Sequence, residues 1–148
     1  MSNIDCMSTP LKNCINCCKE LSNRRSKYCS HSCQQDFQYK NEIQRWKSGV
    51  VPGWRGSLDK PELIQISNPV RRYMFDKYGR KCSKCGWAEV NTYSQNCPVQ
   101  IDHIDGNVLN CQEDNLQILC PNCHSLTDNY GALNRGFGRR SRGQSNTI

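Results

Sequence analysis

A small α+β protein stapled by zinc is the fold class the sequence predicts, on three observations. The chain holds twelve cysteines in 148 residues, most of them in closely spaced pairs. Two such pairs are the usual way of bringing four thiolates to one structural zinc ion. Aromatic residues make up only 8% of the chain, so small metal-stapled modules are expected in place of one large core. Finally, Val99-Gln-Ile-Asp-His-Ile alternates in the manner of a strand, Leu116-Gln-Ile-Leu119 reads as a second strand, and Pro121 can start a helix.

Residues 1–13 carry no clear pattern, and Cys6 among them has no partner spacing, so it reads as a free thiol. Residues 1–48 are expected to form a zinc finger. Cys14-Ile-Asn-Cys17 pairs by spacing with Cys29-Ser-His-Ser-Cys33, and Cys33 is expected to open a helix capped by Ser32 with Gln35. Cys18 in place of Cys17, or His31 in place of a cysteine, are the alternative registers. Tyr39, Ile43 and Trp46 mark one apolar stripe of that helix. A knuckle, a basic loop and a helix carrying the last ligand look like a treble-clef finger.

Residues 49–68 contain Gly49, Pro52, Gly53, Gly56 and Pro61, which break long elements, and read as a linker with Trp54 as an anchor. Asn68-Pro69 marks a helix start, with Asn68 as cap and Val70, Tyr73, Met74 and Tyr78 on the buried face. Gly79 stops that helix, and Arg71 and Arg72 point to solvent. A second domain is expected over 69–135. In it Cys82-Ser-Lys-Cys85 and Cys120-Pro-Asn-Cys123 close a zinc site across a folded hairpin. Asp105-Gly-Asn forms a turn, and Cys97 and Cys111 read as free thiols. Residues 136–148 form a basic, flexible tail.

What the two knuckles enclose is unusual for a plain zinc module. Asp102-His103 lies on the first strand, Asn115 precedes the second, and His124 abuts the last cysteine. This Asp-His/Asn/His arrangement resembles the HNH endonucleases of the ββα-metal superfamily, over roughly residues 69–135. The resemblance implies that Asp102 and His124 hold a catalytic divalent cation, Mg²⁺ or Mn²⁺. It implies further that His103 is the general base and that Asn115 fixes the hairpin loop. Taken with the finger, the chain looks like small phage- or intron-associated members, many of them homing endonucleases. The bland readings are His124 as an alternative zinc ligand and His103 as a structural strand histidine.

Formal charge is +7, with eight Lys/Arg against four acids in residues 1–48 and four Arg with no acid in residues 131–148. Two four-thiolate zinc sites would lower the total to about +3, and the basic ends survive that correction. Arg24, Arg25 and Lys27 in the finger loop and Arg139, Arg140 and Arg142 in the tail are therefore the expected phosphate contacts. The expected partner is double-stranded DNA, met by a monomer or a DNA-induced dimer. No signal peptide or membrane span is visible, and the thiolates favour a reducing compartment. That compartment would be the cytoplasm of a bacterial host if the gene is carried by a phage. The rival expectation is a non-catalytic zinc-finger regulator that binds DNA.

Overall fold

The computed structural model describes residues 13–22, 26–60 and 63–131. The chain divides into two compact units, Met1–Arg45 and Trp46–Ile148. Cys6, Arg24, Arg25, Arg139, Arg140 and Arg142 lie outside the described residues.

In the first unit the Cys14–Cys17 knuckle is a tight turn. The Cys14 N–H donates to the Lys19 carbonyl and the Cys18 N–H to the Cys14 carbonyl, each at 2.8 Å. The residue after the second thiol must turn left-handed, and Cys18 does so at φ 60°. Helix α1, His31–Lys47, begins two residues earlier than the sequence suggests. Its cap is Ser30, whose hydroxyl accepts the Cys33 N–H at 3.1 Å, and not Ser32. From Ser30 the hydroxyl reaches the third N–H of the first turn, where a capping side chain is most effective. Cys33 consequently projects from that first turn, as its third residue.

The last residues of α1 belong to the second unit, where Trp46 is 2% exposed. The segment expected as a linker is structured there. Strands β1 (Trp54–Arg55) and β2 (Gln65–Ile66) pair antiparallel, Trp54 opposite Ile66, and Ile64 and Ile66 are buried. Glycine and proline exclude long elements but not a two-residue ladder. Gly53 lets the chain pass close to Trp46: a Cβ on it would lie 2.5 Å from the indole nitrogen.

Helix α2, Asn68–Tyr78, is capped by Ser67, whose hydroxyl accepts the Val70 N–H at 3.4 Å. The cap thus sits one residue before the expected Asn68, and proline still falls in the first turn. Val70 and Met74 are buried as expected, whereas Tyr78 is 43% exposed. Phe75 takes the core contact that Tyr78 was expected to make. A 3-10 turn over Glu113–Asn115 then leads into the strand that begins at Leu116.

Strands β3 (Gln100–His103) and β4 (Leu116–Leu119) pair antiparallel, with Asp102 opposite Gln117 and His103 opposite Leu116. Helix α3, Pro121–Ser125, follows at once. The core beneath this hairpin is Cys82, Cys97, Val99, Ile118, Leu119 and Cys120, with Phe75, Trp87 and Ile101 against it. Among the described residues no helix is long and apolar enough to cross a membrane.

Glu113 ties the hairpin to the helices. Its carboxylate accepts from the Tyr73 hydroxyl at 3.1 Å, from the Tyr78 hydroxyl at 2.6 Å and from the Lys77 ammonium, and pairs with Lys47 at 3.6 Å. Burial pushes this carboxyl up, but the donors from Lys77, Tyr78 and Tyr73 and the Lys47 charge outweigh it and hold the pKa at about 2. A carboxylate held low stabilises the fold above its ordinary pKa and loses that contribution as pH falls through the folded value. Glu113→Gln is expected to lower the melting temperature at pH 7 by roughly 5–10 °C. The gap to wild type should narrow as the pH drops below 4.5 towards 2. Parallel melts of both proteins across that range check it.

Candidate metal and catalytic site

The eight thiols expected as zinc ligands gather in two groups. Cys14, Cys17, Cys29 and Cys33 form one, and Cys82, Cys85, Cys120 and Cys123 the other, with all sulfurs of a group within 4.8 Å of one another. Four thiolates about 2.3 Å from a tetrahedral zinc stand about 3.8 Å apart. Cys85 and Cys120 are 3.8 Å apart, and Cys17 and Cys29 3.5 Å. Neither Cys18 nor His31 is in the first group.

Backbone and side-chain donors prepare both groups for negative charge. Burial disfavours ionisation of Cys82, but the amides of Cys120, Cys85 and Lys84 outweigh it and draw its pKa down to about 6. The adjoining Cys85 thiol and burial push Cys123 up to about 12, so the group needs a cation before all four sulfurs can ionise. Asn16, inside the first knuckle, donates its amide to Cys33 Sγ at 3.3 Å and is oriented by Lys40, whose ammonium reaches Asn16 Oδ1 at 3.1 Å. Sequence reasoning gave Asn16 no role.

The second knuckle repeats the turn of the first. The Gly86 N–H donates to the Cys82 carbonyl at 2.9 Å, and Gly86 takes the left-handed position at φ 77°. The knuckle is joined to β4 by Ser83, whose N–H and hydroxyl both reach the Ile118 carbonyl, at 2.7 and 2.9 Å. Cys120 caps α3, so the last ligand, Cys123, and the adjacent His124 both project from one short helix.

Asp102, on β3, meets His124 there. The carboxylate Oδ1 lies 3.6 Å from His124 Nε2, and the side chains are 13% and 27% exposed. Gln117, opposite on β4, donates to Asp102 Oδ2 at 3.1 Å. Tyr130 packs edge-on against the His124 ring at 5.2 Å, and the Thr127 hydroxyl bonds to the His124 carbonyl at 2.9 Å. Carboxylate and imidazole donors at such a separation suit a divalent cation that keeps further positions open.

His103 is turned elsewhere. Its Nε2 lies 3.3 Å from Cys111 Sγ. Burial holds the imidazole below its ordinary pKa, against the opposing charges of Asp102 and Asp105, so the ring is neutral at pH 7. Its carbonyl accepts from the Asn129 amide at 2.9 Å, a contact no sequence pattern announced.

Asn115 spans the loop between the strands. Its amide donates to Asp105 Oδ1 at 2.9 Å and to the Asn110 carbonyl at 2.7 Å, and its Oδ1 accepts the Asp105 N–H at 3.1 Å. Asp105 accepts the Asn107 N–H at 2.8 Å and the Asn110 amide at 2.7 Å. It is thus engaged in the turn. Of the expected phosphate contacts, Lys27 is described, and it is exposed. A groove of about 460 Å³ lined by Asn68, Arg71, Arg72, Phe75, Asp76 and Arg80 adds a basic surface on α2.

Part of the chain is similar to an H-N-H endonuclease. Over 59 residues it is 41% identical to H-N-H endonuclease F-TflIV of Escherichia phage T5, a match covering 38% of this chain. The chain spans about a quarter (24%) of the length of that curated relative. No family model matches the chain, and no solved structure does.

Protein purified without added metal is expected to hold about two zinc atoms per chain by elemental analysis. Cys85→Ser and Cys120→Ser should lose one zinc and unfold the second unit by circular dichroism. Asp102→Ala should keep both the zinc and the fold.

Proposed function

We propose that the chain is a divalent-metal-dependent DNA endonuclease whose ββα-metal centre is β3, β4 and α3. The observation that carries this reading is the approach of Asp102 Oδ1 to His124 Nε2, with His103 next along the strand and Asn115 bracing the loop between them. Hydrolysis of a phosphodiester needs a base for the attacking water and compensation of charge on the phosphate and the leaving 3′-oxygen. His103, neutral and half-buried, is the base. Asp102 and His124 are the ligands of a cation, Mg²⁺ or Mn²⁺, which supplies the charge compensation when bound. Gln117 fixes the Asp102 carboxylate, Tyr130 the His124 ring, and Asn115 the loop that follows His103. The products are 5′-phosphate and 3′-hydroxyl ends.

The domain reading is part of the same proposal. Residues 1–48 act as a treble-clef-like finger on DNA, 49–68 connect it, 69–135 cut, and 136–148 add cationic grip. The substrate is double-stranded DNA, and one site per chain cuts one strand unless two chains meet on the DNA. A phage-borne homing enzyme working in the cytoplasm of a bacterial host is the narrower form, and the phage relative supports it.

His103→Ala and His124→Ala separate base from ligand. On supercoiled plasmid, His103→Ala should lose about 10²–10⁴-fold in nicking rate at every Mg²⁺ or Mn²⁺ concentration. His124→Ala should need more metal and recover part of its activity when metal is in excess. Full activity in His103→Ala would remove His103 as the base, and a wild-type protein that nicks at no metal concentration would return the chain to a non-catalytic DNA-binding zinc protein.

A further inference from the structure

Cys111 is 1% exposed, and nothing in the zinc groups uses it. Its surroundings hold it in one place. The Trp46 indole N–H donates to the Cys111 carbonyl at 2.8 Å, and a Cβ on Gly53 would lie 3.0 Å from the Cys111 Cβ. The thiol sits between two polar partners, His103 Nε2 at 3.3 Å and the Val108 carbonyl at 3.7 Å.

A thiol carries one proton. The Val108 carbonyl can only accept, so when the S–H points to it the sulfur has only lone pairs left for the imidazole. His103 Nε2 must then be the protonated nitrogen, and Nδ1 keeps its lone pair. We propose that Cys111 is a positioning residue that sets the tautomer of His103, through the chain Nε2–H to Sγ and S–H to the Val108 carbonyl. It leaves Nδ1 as the atom that takes the proton. The inference rests on His103 being the general base. Burial, with the Asp105 charge adding to it, pushes the thiol up to about 11, so the S–H that the chain requires is present at pH 7. The backbone that carries the ring is held too, because the His103 carbonyl accepts from the Asn129 amide at 2.9 Å and from the Gly106 N–H at 3.0 Å. A second-row hydride suits this position: it fills an apolar site beside Trp46 as a small hydrophobe and still supplies one weak donor and one weak acceptor.

The test uses the full-length, zinc-loaded protein with ¹⁵N-labelled histidine, of which the chain has three. Long-range ¹H–¹⁵N correlation reads the tautomer of each ring, assigned with the single histidine variants. In wild type, His103 should show one form, protonated at Nε2. In Cys111→Ala it should become a mixture of both forms. Plasmid nicking at saturating DNA and Mg²⁺ should then fall about tenfold with KM unchanged, as a partial loss of base catalysis. Cys111→Ser keeps a donor and an acceptor and should restore most of both readouts.

Zinc content and melting show whether Cys111→Ala is folded. If it is not, the wild-type tautomer and the serine variant decide. A wild-type His103 protonated at Nδ1 overturns the proposal, and so does a folded Cys111→Ala with unaltered tautomer and rate. His103→Ala in the same assay keeps the two readings apart. If it is inactive while Cys111→Ala is normal, only the positioning role fails; if it is fully active, His103 is not the base and the positioning role falls with it.

Discussion

The β3–β4 hairpin and α3 depend on the four thiols of Cys82, Cys85, Cys120 and Cys123 meeting at one point. The apolar core beside them is small, and two of its buried members, Cys82 and Cys120, are themselves in the thiol group. Packing and ligation therefore form one structural unit. In small zinc domains a structural ion supplies on the order of 10 kcal/mol of folding free energy. That is comparable to the whole stability of an ordinary domain. The Ser83 bonds to Ile118 extend the knuckle into β4, so the hairpin cannot shift its register without breaking the thiol group.

From that fixed end the loop between the strands needs a second brace, because none of these four thiols lies in it. Asn115 provides it by bonding both edges of the Asp105 turn, and the Ile104 N–H closes back onto the Asn115 carbonyl at 2.9 Å. Glu113, two residues earlier, anchors the same 3-10 turn to α2 and to Lys47. Trp46 holds Cys111, and Cys111 meets His103. The proposed base is thus buttressed from Trp46, within the second unit, whereas the proposed metal ligands are buttressed from β4 and from the turn after α3.

The cysteine spacings and the strand alternation made most of this legible, because both are local signals with strict geometry. Two thiols separated by two residues suit one knuckle, and a period of two fixes which residues share a face of a strand. Cap positions were off by one or two residues because Ser30 and Ser32, or Ser67 and Asn68, are equally able caps. Only the register of the whole helix chooses between them. The linker reading of residues 49–68 missed β1 and β2, since a two-residue ladder leaves no periodicity to detect. Trp46 was assigned to the stripe of the finger helix, but its indole serves Cys111, 65 residues further along the chain. Gln117, Asn129 and Tyr130 carry no motif at all. Their roles arise from cross-strand register and from where the chain returns after α3, which spacing does not encode.

On the proposed reading the second unit holds two kinds of metal chemistry, segregated by donor type although they are one residue apart in sequence. Four soft thiolates saturate a zinc ion and leave no position open. A carboxylate and an imidazole form a harder, incomplete set, and on the proposed reading that incompleteness is what admits a phosphate oxygen and a water. The junction is Cys123-His124. Cys123 lies in the thiol group, and His124, the next residue on α3, faces Asp102 at 3.6 Å. On that reading, a zinc ion held by the four thiols would act on the reaction through geometry alone. By locking α3 it sets the distance between two donors on separate elements, a distance that a five-residue helix could not hold unaided.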